Sequence, residues 1–159
     1  ETNLPAGAIS VLAAADGDHL LMADPVSVEK SLRLEPSLHR FDLAFPDLAE
    51  AAALAHRPGE GDPEALAGAS PCRTVITLGP DGVLVDGERF PAIEPDRLAD
   101  VTGAGDAGVA GWIYGLMVGG GAAPVDWALA ASSLAVETDD SVRADLSVSM
   151  LEDRVARGR

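Results

Sequence analysis

Short apolar runs alternate with helical stripes through the first half of the chain. Pro5 to Ala15 is almost wholly apolar and stops at Asp16-Gly17-Asp18, which predicts a helix with proline near its first turn. His19–Ala23 is a brief apolar run closed by Asp24-Pro25, so it predicts a buried strand with a carboxylate at its C-terminal end. Ser27 is placed to cap a short helix reaching Leu34, and Phe41–Phe45 predicts the next strand. Pro46-Asp47 turns the chain into an alanine-rich helix, Leu48–His56. A polar loop from Arg57 to Pro63 and a short helix, Glu64–Ala69, come next. Arg73–Leu78 carries Val75, Ile76 and Thr77, stops at Gly79-Pro80-Asp81-Gly82, and resumes at Val83-Leu84-Val85, which predicts a hairpin. Arg89–Ile93 predicts a further strand.

The second half changes character. Ala104–Val118 and Pro124–Val136 predict two helices, the first burying small residues on one side. A polar loop, Glu137–Ser141, precedes a last helix from Ser147 to Arg157. No internal repeat and no linker-like composition divides residues 1–159, so one domain is expected. Strand–helix alternation in the first half predicts an α/β fold with a parallel sheet and flanking helices. In such sheets ligands bind beyond the C-terminal strand ends. Asp24, Asp47, Gly79 and the Gly103 loop all fall at such ends or directly after them.

Composition narrows the function. With 47% hydrophobic residues the 159-residue chain can bury a core, and its 4% aromatic content means a core of Ala, Val and Leu. A net charge of −15 argues against binding nucleic acid polymers or anionic membranes. Any nucleotide site must then rely on local amides and metal. Cys72 is the only cysteine, so no intrachain disulfide forms and a cytoplasmic setting is expected. The uncharged run Ala107–Val125 approaches membrane-spanning length, but its glycines and Pro124 predict a buried core helix instead.

The chemistry concentrates in Asp100-Val101-Thr102-Gly103-Ala104-Gly105-Asp106. A glycine-rich turn opening a helix presents unpaired amides and the positive end of the dipole, which suits phosphate. Asp106 would repel a resting phosphate, so a loop made only for binding would be better without it. A carboxylate beside a phosphate is useful when something there must lose a proton. Residues 103–108 also satisfy G-x-G-x-x-G, but Asp96–Asp100 is a poor buried strand, so a dinucleotide fold is disfavoured. A Walker A loop needs a lysine, and Lys30, the only lysine, is far away in sequence. The plain alternative is a glycine turn that merely starts a helix.

Val101-Thr102-Gly103-Ala104-Gly105-Asp106-Ala107 closely resembles the signature of the PfkB (ribokinase-like) carbohydrate and nucleoside kinases. Thr74 to Gly82 is similar to the strand and turn that precede it in that family. Asp24-Pro25-Val26-Ser27, with Lys30 beyond, is similar to an element of pseudouridine-kinase-like members. The resemblance implies a ribokinase-like fold, with Asp106 as the base that deprotonates a substrate hydroxyl. It also implies an anion hole from the amides of Gly103, Ala104, Gly105 and Asp106. Thr77, Gly79, Gly82 and Asp24 would border ATP. Pro46-Asp47-Leu48-Ala49-Glu50 resembles the family's N-x-x-E element, so Glu50 and Asp47 would serve the Mg2+ region, with Asp47 replacing the usual asparagine. Asp100 and Thr102 match positions that help hold K+ in potassium-dependent members, and the Glu137–Ser141 loop would complete that site.

The same resemblance implies a missing half. Family members carry an N-terminal portion with most of the sheet, the lid and the sugar or nucleoside contacts, and this chain corresponds to the C-terminal portion. An exposed sheet edge, apolar faces and a homodimer or completing chain are therefore expected. The expected function is ATP-dependent phosphotransfer to a sugar or nucleoside hydroxyl, pseudouridine among the acceptors, with weak or no turnover by this chain alone. The alternative is a non-catalytic nucleotide-binding or interaction module, a truncated or degenerate kinase fragment.

Overall fold

Three short parallel strands, the first followed by Asp24 and the second leading to Asp47, form one side of a sheet that two antiparallel strands extend, all five lying side by side in chain order. In the computed structural model, which describes residues 2–119 and 121–158, the chain forms two compact units, Glu1–Phe90 and Pro91–Arg159. The boundary lies at Phe90-Pro91, where no Gly- or Ser-rich composition marks it.

The first unit holds the sheet. Strand β1 (Met22–Ala23) pairs in parallel with β2 (Leu43–Ala44), and β2 with β3 (Arg73–Thr77). β4 (Val83–Val85) and β5 (Glu88–Phe90) add antiparallel neighbours, so the sheet is mixed and the predicted hairpin is present. The first two strands are shorter than predicted. Leu21 N–H donates to Asp42 Oδ2 at 2.7 Å, so a side chain does there what a ladder would do. The strand predicted over Arg89–Ile93 ends at Phe90, because Pro91 has no N–H for the ladder.

Helix α1 (Ala6–Ala13) packs Ile9 and Ala13 with Leu34, Leu38 and Phe41 over Ala23 and Ala44. Helix α2 (Val28–Ser31) is short, with Ser27 Oγ accepting from Lys30 N–H. A 3-10 segment at Glu35–Arg40, which the hydrophobic pattern does not predict, contains Pro36 in its first turn and buries Ser37 and Leu38. Helices α3 (Leu48–Leu54) and α4 (Pro63–Ala69) bury Ala51, Ala52 and Leu66 against Ile76 and Leu84. β1 lies at one sheet edge, as expected, and Val11, Leu12 and Leu20 are exposed.

The second unit is helical among the described residues: α5 (Ala104–Val118), α6 (Pro124–Ala135) and α7 (Val148–Gly158). The predicted small face of α5 is real. A methyl on Gly111 would meet the Trp127 carbonyl, and one on Gly115 would lie 2.6 Å from the Trp127 ring. Glycine at both positions lets α6 approach that closely. Tyr114 meets Trp127 edge-on at 5.2 Å, and α7 adds Leu151 and Val155 to the same core. Among the described residues no helix is long and apolar enough to cross a membrane.

Candidate active site

In the first unit, Asp24 follows β1 directly, Asp47 lies a short turn beyond β2, and Thr77 ends β3 just before Gly79. Thr77 N–H donates to the Pro46 carbonyl at 2.9 Å, which brings Asp47 and Thr77 side by side. Asp47, Thr77, Leu78, Gly79, Asp81 and Arg89 line an open cleft of about 590 Å3. That volume falls in the range of small-molecule sites. Gly82 does not line it. Gly82 is buried in the turn with a φ of 97°, and its carbonyl accepts Leu78 N–H at 2.8 Å, so its visible work is to shape the loop. Arg89, which sequence reasoning did not single out, places a cation at the cleft. Glu64 holds it in a two-point pair at 2.7 and 3.1 Å.

The Asp47–Glu50 spacing has a local cause. Asp47 Oδ1 accepts Glu50 N–H at 2.7 Å and Glu50 Oε2 accepts Asp47 N–H at 2.9 Å, a capping box that starts α3. Capping does not require burial, yet Glu50 is only 6% exposed. Burial pushes its carboxyl up to about 7, and the Asp47 and Asp24 carboxylates add to the rise against the Asp47 N–H bond. Three carboxylates thus crowd one strand edge, a place where positive charge would relieve the cost. Among the described residues no group of three or more His, Cys, Asp or Glu is arranged to hold a metal by itself. The crowded carboxylates fit a magnesium ion, which commonly takes one or two carboxylates and completes its shell with water and phosphate oxygens.

In the second unit, Gly103 is the N-cap of α5 at φ 81°, a left-handed conformation that favours glycine. A methyl on Gly103 would also collide with the Ser141 carbonyl oxygen. Ala104 N–H donates to the Val101 carbonyl at 3.2 Å, so this amide, predicted to serve the anion hole, is engaged in the turn. Among the described residues the N–H groups of Gly103, Gly105 and Asp106 have no partner in the fold, as the first turn of a helix dictates. A methyl built on Gly105 would meet no atom within 4 Å, and Asp106 is exposed in the same turn. Asp100 Oδ1 accepts from Thr102 N–H at 3.1 Å and Thr102 Oγ1 at 3.0 Å. Those bonds, the backbone one foremost, hold the Asp100 carboxyl below its ordinary value and account for both residues without a cation.

The Glu137–Ser141 loop was expected to complete a cation site, but the pairing of Glu137 with Arg154 was missed by sequence reasoning. Arg154, buried to 3% exposure, donates to Glu137 Oε1 at 2.6 Å, and Arg143 donates to Glu137 Oε2 at 2.7 Å. Burial favours the neutral acid, but the Arg143 and Arg154 bonds outweigh it and hold the Glu137 carboxyl down at about 2. A depressed carboxyl stabilises the fold above its ordinary 4.5, and that contribution is lost as pH falls through about 2. The full shift is about 3 kcal/mol, and solvent screening leaves an expected loss of roughly 1–2 kcal/mol. Both tryptophans, Trp112 and Trp127, lie in this unit, so acid titration followed by their fluorescence measures it. Glu137→Gln should flatten that acid limb.

Residues 6–144 match the pfkB family carbohydrate kinases. A carbohydrate kinase from Agrobacterium tumefaciens is 28% identical, with a TM-score of 0.75 over 98% of this chain and 52% of its own. The Burkholderia thailandensis nucleoside kinase in complex with inosine is 21% identical, with a TM-score of 0.72 over 96% of this chain and 52% of its own. A Methanocaldococcus jannaschii nucleoside kinase, an archaeal member of the ribokinase family, gives 18% and 0.71 over 94% and 52%. No curated protein matches the chain. The chain spans about half the length of these solved structures. Its mixed sheet with flanking helices is the ribokinase-like fold, and the match over most of its length makes it a member of the pfkB family of carbohydrate kinases.

Proposed function

We propose that this chain is the nucleotide-binding, base-bearing part of a kinase that transfers a phosphoryl group from ATP to a hydroxyl of a sugar or nucleoside. The observation that carries this reading is the α5 start, where unpartnered amides at Gly103, Gly105 and Asp106 stand beside an exposed carboxylate. In this reading ATP supplies the transferable phosphoryl group, and magnesium neutralises its phosphate charge. The amides of Gly103, Gly105 and Asp106 hold phosphate oxygens where charge is greatest during transfer. Asp106 accepts the hydroxyl proton as the acceptor oxygen bonds to phosphorus and the bond from phosphorus to ADP breaks. The cleft bordered by Thr77, Gly79 and Asp47 takes the nucleotide, and Glu50 with Asp47 would hold a magnesium ion that supplies positive charge to its phosphates. Asp24 adds charge to that edge. Asp100 and Thr102 hold the turn that sets Gly103, with K+ beside them where the acceptor chemistry needs it.

The acceptor is a small sugar or nucleoside, pseudouridine included, held by the portion of the family fold that lies outside residues 1–159. A completing chain or a second copy is the corresponding partner.

Gly105→Ala separates binding from folding. Alanine at this helical position should raise stability by about 0.5–1 kcal/mol relative to glycine. Its methyl points into open space where phosphate would lie. The expected result is a chain that melts higher but binds ATP at least about tenfold more weakly, read by calorimetric titration beside a thermal melt. Equal ATP affinity would remove the phosphate from this helix start.

A further inference from the structure

The turn that presents the α5 amides is not held by its own hydrogen bonds alone. The segment leading into it, Asp96–Asp100, forms no strand and is tied instead to the end of α6. Val136 carbonyl accepts from Ala99 N–H at 2.8 Å, Glu137 Oε1 accepts from Asp96 N–H at 2.8 Å, and the Glu137 carbonyl accepts from Arg97 Nε at 2.8 Å. On the other side the Glu137–Ser141 loop brings the Ser141 carbonyl against Gly103, leaving no room for a Cβ. Both approaches to Gly103 therefore pass through Glu137. Arg154 fixes that residue from α7, also donating to Ser133 Oγ and to Asp96 Oδ2 at 3.3 Å. Arg143 fixes it from the loop, donating to the Leu134 carbonyl at 2.9 Å as well.

We infer that Glu137 and Arg154 are positioning residues for the phosphate-binding turn, setting where the Gly103, Gly105 and Asp106 amides point by clamping the two segments that flank Gly103. The inference rests on the reading of those amides as a phosphate site. A buried ion pair is a poor source of net stability compared with apolar packing, but its fork of bonds allows only one arrangement of the segments it joins. Loop 137–141 could be satisfied at the surface without a buried arginine. Its anchoring matters where the amides it abuts must be preset before ligand arrives.

The test uses the whole chain, nitrogen-15 labelled, with inorganic phosphate as probe. Wild type, Glu137→Gln and Arg154→Lys are titrated while amide shifts and hydrogen exchange are followed residue by residue. Glu137→Gln should weaken phosphate binding about tenfold and speed exchange by a similar factor at Ala99 and Ala104, the hydrogen-bonded amides on either side of Gly103. Amides at Trp112 in α5 and Leu129 in α6 should be unaffected. Arg154→Lys, which keeps the charge but not the fork, should fall between the two and covers the case in which the glutamine variant does not fold. Unchanged exchange at Ala99 and Ala104, or a rise shared equally by α5 and α6, would overturn the positioning role. Absence of any wild-type shift at Gly105 and Asp106 with phosphate would instead reject the phosphate site. Exchange at Ala99 and Ala104 would still decide the clamp.

Discussion

Asp106→Asn is expected to lower phosphoryl transfer by roughly 10^2 to 10^4-fold while leaving the chain folded. Asparagine keeps the shape and hydrogen-bonding reach of the side chain but cannot accept the hydroxyl proton. Asp106 is exposed in the first turn of α5, so the substitution leaves no cavity and no buried partner behind. The stability cost is confined to a lost interaction with the helix N-terminus, about 0.3–1 kcal/mol. The measurement is ADP formation from ATP against a panel of nucleosides and sugars, with a thermal melt of each protein. Turnover by the asparagine variant equal to wild type would dismiss Asp106 as the base. Because this chain spans about half of each solved relative, its own turnover is expected to be weak, and full turnover by the isolated chain would refute the need for a completing portion.

Glu50→Gln is expected to make the metal-free chain more stable at pH 8 and to leave it unchanged at pH 4. Glu50 titrates near 7 in the fold against an ordinary value of 4.5, so the fold prefers its protonated form. Its contribution is fully present below 4.5 and is lost as pH rises through about 7. The full shift corresponds to about 3 kcal/mol, and partial solvent screening brings the expected gain at pH 8 to about 2 kcal/mol. Glutamine still accepts Asp47 N–H, so the capping box survives and only the charge is removed. Urea unfolding of both proteins across this pH range measures it. Parallel curves would mean that the carboxylate is not strained by its burial. The same variant should lose the extra stability that magnesium and ATP together give wild type. A residue that destabilises the empty fold and is needed only with ligand is the signature of a site kept for function.

Much of this architecture was legible along the chain. The alternating runs announced β3, β4 and their turn, because Val75, Ile76 and Val83–Val85 are β-branched or apolar and Gly79–Gly82 can only turn. The α5 start was legible for the same reason: Gly103 and Gly105 are needed by local backbone geometry and local access. Strand lengths at β1 and β2 were not legible, since Asp42 replaces ladder bonds from twenty-one residues away. The division at Phe90-Pro91 was invisible because compactness is a matter of long-range contacts rather than local composition.

The sequence by itself determined the helix start at Gly103–Asp106 and the family to which the chain belongs. Those depend on neighbouring residues, whose spacing starts the helix and puts a carboxylate in its first turn, whereas the fold decided that the Ala104 amide is engaged. Only the tertiary structure decided that Glu50 is buried among carboxylates, that Arg89 stands at the cleft, and that Glu137 is locked by Arg154 and Arg143. Burial and charge pairing arise between segments far apart in the chain, and no local pattern of residues encodes which of them will meet.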